Sequence, residues 1–201
     1  MTGIAGTYFE NSFAGHKAIP GKYTATLRLG EQSVSTEIDI RPNPLYPTDA
    51  KTYQEYDAIM LSMEKELDGM HRLVNSLHEK QRQLEDLIAK IPGDAKFDPL
   101  RTEAQTLNAL MKQWDEDMVQ RKSKAYDDVE NFPNKFTANY MFMLNQTESD
   151  IPSVNQPSLD LLKEMRMQWS QLLQRAKQID ETQLPALNKK LWDAGLGAIW
   201  K

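Results

Sequence analysis

The chain has 201 residues, 24 basic against 29 acidic side chains for a net charge of -5, and no cysteine. That length buries roughly 70% of the unfolded surface, enough for a core without staples. The composition excludes disulfides, thiolate metal sites and cysteine nucleophiles, and it lacks the basic stripe that nucleic acid requires.

The opening stretch "MTGIAGTYFENSFAG" has no basic run followed by an apolar one, and no window approaches eighteen apolar residues. Neither a signal peptide nor a membrane span is expected. In "KYTATLRL", Tyr23, Ala25, Leu27 and Leu29 alternate with Lys22, Thr24, Thr26 and Arg28, the period of a half-buried strand. "SVSTEIDI" repeats the alternation with Val34, Thr36, Ile38 and Ile40, and "GEQ" between them makes a hairpin connection. A two-stranded hairpin is marginal alone. It is expected to pair with residues 1–17, to pack at one end of the helices that follow, or to need strands from a longer protein.

Pro42, Pro44 and Pro47 stiffen residues 42–48 into a hinge between a β-region (1–41) and a helical region (49–201). Beyond Thr48, which reads as an N-cap, the period becomes that of a heptad. One seam holds Tyr53, Met60, Leu67, Val74, Gln81 and Ile88, the other Tyr56, Met63, Met70, Leu77, Leu84 and Ile91. Gln81 is the one polar break. The spacing predicts a helix over about 49–91, about 65 Å long, packed in coiled-coil fashion.

Pro92 and Gly93 stop it, and Asp98 followed by Pro99 reads as the cap of a second helix. Leu100, Ala104, Leu107, Met111, Trp114, Met118, Arg121 and Ala125 carry that helix to about 130, antiparallel to the first. A short helix is predicted over 136–146, with Phe136, Tyr140 and Leu144 on one face. Ser158 reads as the cap of the last, 158–194, with Leu162, Met165, Trp169, Leu172, Ala176 and Ile179 as its seam and a kink at Pro185. The expected fold is α+β, mostly α: an elongated antiparallel three-helix bundle with a short fourth helix and a small N-terminal antiparallel β-region.

No motif identifies a substrate or a reaction. His71 and His78 lie seven apart, about 10.5 Å of helical rise, where a chelating pair sits at three or four, so a surface or seam-edge place is expected. His16 has no ligand at metal spacing. The clusters "WDED" (114–117), "DDVE" (127–130) and "ESD" (148–150) flank apolar seams and read as solvated faces, without the paired carboxylates of glycosidase chemistry or the ligand spacing of a calcium loop. No catalytic, cofactor or metal residue is named. Nine methionines beyond Met1 read as core first and adaptable surface second. Tyr53, Tyr56, Met60, Met63, Trp192 and Trp200 are the candidate interaction residues. Asn145, Gln146 and Thr147 match the glycosylation sequon.

Two motifs flanking the helices, Pro20-Gly21-x-Tyr23 and Leu187-Asn188-x-x-Leu191-x-x-Ala194-Gly195-Leu196, resemble the C-terminal region of bacterial Asp-box (BNR) repeat proteins. These are sortilin-like, glycosyl hydrolase-related β-propeller proteins, and the resemblance spans roughly residues 15–199. Where the family often has Asp-Pro-Arg after the last strand, this chain has Asn43, Pro44 and Leu45. The resemblance implies that the hairpin closes an Ig-like sandwich, that the remaining strands and any active site lie upstream in a parent protein, and that the parent is periplasmic, cell-surface or secreted. No Asp-box motif occurs in this chain, so no catalytic residue is carried over. The expected function is a non-catalytic structural or interaction module, its partners being upstream domains or another protein. The alternatives are a self-associating coiled-coil adaptor, as a homodimer, and a hydrolase.

Overall fold

A computed structural model describes residues 2–7, 10, 15–148 and 152–199, excluding the side chains of Tyr126 and Val129. The chain is α+β and mostly helical, with a two-stranded sheet near its N-terminus. Strands β1 (Gly21–Leu29) and β2 (Gln32–Ile40) pair antiparallel, from Gly21 opposite Ile40 to Leu29 opposite Gln32. The two-residue turn places Gly30 at φ +59°, the left-handed first position that a type II′ turn requires.

Helix α1 (Ala50–Lys90) is capped one residue later than predicted. The Asp49 carboxylate, not Thr48, accepts from the Thr52 N–H at 2.7 Å. Its two seams enter the core: Tyr56, Met60, Met63, Leu67, Met70, Val74, Leu77 and Leu84 are all buried. Gln81 is buried too, and its amide reaches Asn108 Oδ1 at 3.3 Å.

A single 3₁₀ turn (Ala95–Phe97), capped by Asp94, precedes α2 (Asp98–Met118). The helix expected to reach residue 130 therefore ends at Met118. Val119 is extended at φ -134°, and Arg121 folds back to grip Asp115 with two bonds of 2.6 and 2.7 Å. Helix α3 (Phe136–Thr147) resumes beside α1 where α2 stops, so the two follow one another along it. Residues 119–135 leave this column and return.

The last helix starts at Gln156, and its cap is Asn155, which accepts from the Ser158 N–H at 2.8 Å. Ser158 is thus the donor in the cap. Helix α4 (Gln156–Lys177) passes through a π segment (Gln178–Gln183) into α5 (Leu184–Asp193). Pro185 cannot donate, and its ring would strike the carbonyl four residues back. The chain widens one turn ahead of it, with Leu184 N–H bonded to the Ile179 carbonyl, so the expected kink takes the form of a π-bulge.

Cross-helix pairs fix the directions. Asn108 and Lys112 meet Glu85, and Asp115 meets His78, so α2 is antiparallel to α1. Arg166 meets Glu66 and Lys80 meets Asp180, so α4 and α5 run parallel to α1. The three long helices have unequal lengths, because α2 stops early.

Candidate interaction surface

The hairpin sorts its side chains onto two faces. One carries Tyr23, Ala25, Leu27, Leu29, Val34, Thr36, Ile38 and Ile40; the other carries Lys22, Thr24, Thr26, Arg28, Ser33, Ser35, Glu37 and Asp39. Cross-strand neighbours on the polar face complement one another, with Lys22 opposite Asp39 and the Thr26 and Ser35 hydroxyls 2.8 Å apart.

The apolar face, expected to be half-buried, is open to solvent. Leu27 is 71% exposed, Leu29 78% and Val34 66%, and Tyr23 and Ile38 are also exposed. The expected packing of the β-region on the end of the bundle is therefore absent for most of the hairpin, and only its base at Gly21, Ala25 and Ile40 is partly covered. The helices spend their apolar seams on one another. Tyr23 is held instead by its own hydroxyl, which donates to the Ile19 carbonyl at 2.7 Å.

The N-terminal segment binds α1, and its described residues form no strand beside the hairpin. The Thr2 N–H donates to Asp68 (2.7 Å), the Ala5 N–H to Asn75 (3.1 Å), and the Asn75 amide to the Gly3 carbonyl (2.8 Å). Ile4 is buried in the core. Nearer the hairpin, the His16 N–H and Nδ1 both lie 2.7 Å from Glu64, while Nε2 lies 3.0 Å from Asp57. Sequence periodicity carries no sign of this segment, because single contacts along an irregular stretch have no period to detect.

The residues singled out from the sequence divide. Tyr56, Met60 and Met63 are buried inside the chain, Tyr53 is half-buried, Trp192 is 65% exposed, and Trp200 lies outside the described residues. The described ones form no continuous surface, three of them being buried. Among the methionines, seven are buried and Met167 is exposed.

His71 is 2% exposed beneath the N-terminal segment, not at the surface. His78 faces Asp115 at 3.7 Å, and burial and the nearby Arg121 depress its pKa. Asp115, expected to be solvated, is buried by its Arg121 clamp. Asp117 pairs with Arg175, and Asp128 accepts from the N–H groups of Lys124 and Ala125. Thr147 of the sequon is buried, its hydroxyl donating to the Met143 carbonyl.

A cleft of about 510 Å³ lies beside α2, lined by His78, Lys112, Asp115, Arg121, Lys122 and Lys135 among others. Half of its charged side chains are engaged in ion pairs, Arg121 with Asp115 and Lys112 with Glu85. Among the described residues, no group of three His, Asp or Glu side chains is placed to hold a metal ion, and no helix is long and apolar enough to cross a membrane. Compared with protein-family models, curated proteins and solved structures, the chain matches none.

Proposed function

We propose that the chain is a non-catalytic structural and interaction module, in which the bundle braces a hairpin whose apolar face docks on the apolar face of a partner's β-sheet. The observation that carries this reading is the uncovered face of Tyr23, Leu27, Leu29, Val34 and Ile38 beside a bundle whose seams are filled. Nine residues per strand make a ribbon about 30 Å long and about 10 Å wide, hence an apolar strip of about 300 Å². Any face-to-face contact of that strip buries about 600 Å² in total, half of what a stable free-standing interface needs, so the strip suits a sheet tethered to it in one protein better than two free copies.

The two motifs at Pro20-Gly21-x-Tyr23 and Leu187–Leu196 support a finer version. In that version the sheet belongs to the upstream Ig-like strands of a secreted or cell-surface β-propeller protein. The self-associating coiled-coil reading has less support, because Met60, Met63, Leu67, Met70 and Val74 are covered within one chain.

Site-specific photocrosslinking tests the proposal. A crosslinker at Leu27 or Val34 should capture a protein partner, whereas one at Thr26 or Ser35, on the opposite face, should not. Equal capture from both faces, or none from the apolar one, rejects it.

A further inference from the structure

Glu10 and His71 meet where the N-terminal segment lies on α1, each 2% exposed. His71 Nδ1 stands 2.8 Å from the Thr2 carbonyl oxygen. A carbonyl only accepts, so Nδ1 carries the hydrogen, and in a neutral ring Nε2 is then a bare lone pair. That atom faces Glu10 Oε2 at 3.8 Å, and neither has a hydrogen-bond partner among the described residues. A carboxylate and a lone pair confronting each other in a dry site repel, so the pair needs one proton between them.

The neighbouring charges do not supply a substitute. Arg121, from the segment after α2, is clamped to Asp115 and donates to the Ala5 carbonyl. Asp68, on α1, binds the Thr2 N–H and Arg72. The Thr137 hydroxyl of α3 donates to the Met118 carbonyl and also lies within hydrogen-bond reach of the Glu10 carboxyl, a pull that burial outweighs, and His78, further along α1, faces Asp115.

We propose that Glu10 and His71 form a one-proton clasp, in which docking of the N-terminal segment moves a proton from His71 Nε2 to Glu10 Oε2 and exchanges none with solvent. With the segment lifted, both groups are in water at their ordinary values, 6.5 for the imidazole and 4.5 for the carboxyl. Near pH 6 the proton then sits on His71. On docking, burial lowers His71 and raises Glu10 to about 7, against the opposing pull of Thr137 and Arg121. The N–H bond at Nε2 breaks and an O–H bond at Oε2 forms, so each state holds one proton.

Linkage gives the consequence. Glu10 alone would contribute stability that is full below pH 4.5 and lost as pH rises to about 7. His71 alone would contribute stability that is full above pH 6.5 and lost as pH falls below it. The two slopes cancel, and the segment stays docked with nearly constant strength from acid to neutral pH.

Hydrogen exchange at the Ile4 and Ala5 amides, read as protection factors at pH 5, 6 and 7, tests this. In the intact chain protection should change by about twofold at most over that range. In His71→Asn, which keeps a donor for the Thr2 carbonyl, opening should increase roughly 40-fold from pH 5 to 7; in Glu10→Gln it should decrease by up to roughly 25-fold. Variants that track the intact chain, or an intact chain sloping as steeply as either variant, overturn the clasp. Should a variant fail to fold, ¹⁵N NMR of His71 in the intact chain at pH 6 decides: a neutral ring with hydrogen on Nδ1 supports the proposal, and an imidazolium overturns it.

Discussion

His16 lies between two carboxylates, one at each ring nitrogen, and both nitrogens must donate. Burial works against the charged ring, but the bonds to Asp57 and Glu64 outweigh it and hold the pKa above its ordinary 6.5. The stability this contributes is full below pH 6.5 and is lost as pH rises through the raised value. The melting temperature should fall on the alkaline side, by about 2–4 °C for each kcal/mol lost, and His16→Gln should flatten that limb. A melt that falls equally in the variant would refute the role. Glu66 has the opposite sign. Burial would raise it, yet bonds from Arg166 and Tyr140 keep it below 4.5, so its contribution is lost as pH falls through the folded value. Removing the Tyr140 hydroxyl, which donates to Glu66 at 2.6 Å, should cost about 1.5–3 kcal/mol in denaturant titrations of Tyr140→Phe.

Elements were legible in proportion to their periodicity. The seams of α1 fall at the positions its heptads predict, and the alternation in residues 22–40 gives both strands and their turn. What covers a strand is a property of its neighbours, so the openness of Leu27 and Val34 has no local signature. The early end of α2 escaped because Arg121 and Ala125 keep helical spacing, while the clamp on Asp115 that accompanies the break is a contact between side chains. For the candidate surface, the sequence pointed to tyrosines and methionines on α1, whose size and apolarity mark core as readily as interface.

The π-bulge does have a trace: buried positions step from Ala176 to Ile179, then by five to Leu184, then to Leu187 and Leu191. Deleting Thr182 would restore regular spacing but place proline in a continuous α-helix. That deletion alone should cost about 3 kcal/mol, and adding Pro185→Ala should recover most of the loss. Denaturation midpoints of the two variants give the answer.

At the scale of the molecule, stability resides in the bundle. Leu67→Ala, in a position with no exposure, should cost about 2–5 kcal/mol. Leu27→Ala should stay within about 0.5 kcal/mol, since it loses only its exposed cross-strand neighbour Val34. Light scattering on the isolated chain should give a monomer across concentrations. A dimer abolished by Leu27→Lys with Val34→Lys would make a second copy the occupant of the hairpin face. A dimer that survives both changes would move the association to the helices.

The first and last paired residues of the hairpin, Gly21 and Ile40, are cross-strand partners. A path that leaves and returns at one point forms a closed excursion from the rest of the chain. Residues 21–40 are therefore a detachable cassette: a linker of two or three glycines can bridge the gap and leave the bundle's assembly untouched. Changes in length, charge or shape within the cassette are invisible to the selection that keeps the helices folded. The hairpin can drift, or be redesigned, without renegotiating how the bundle stands.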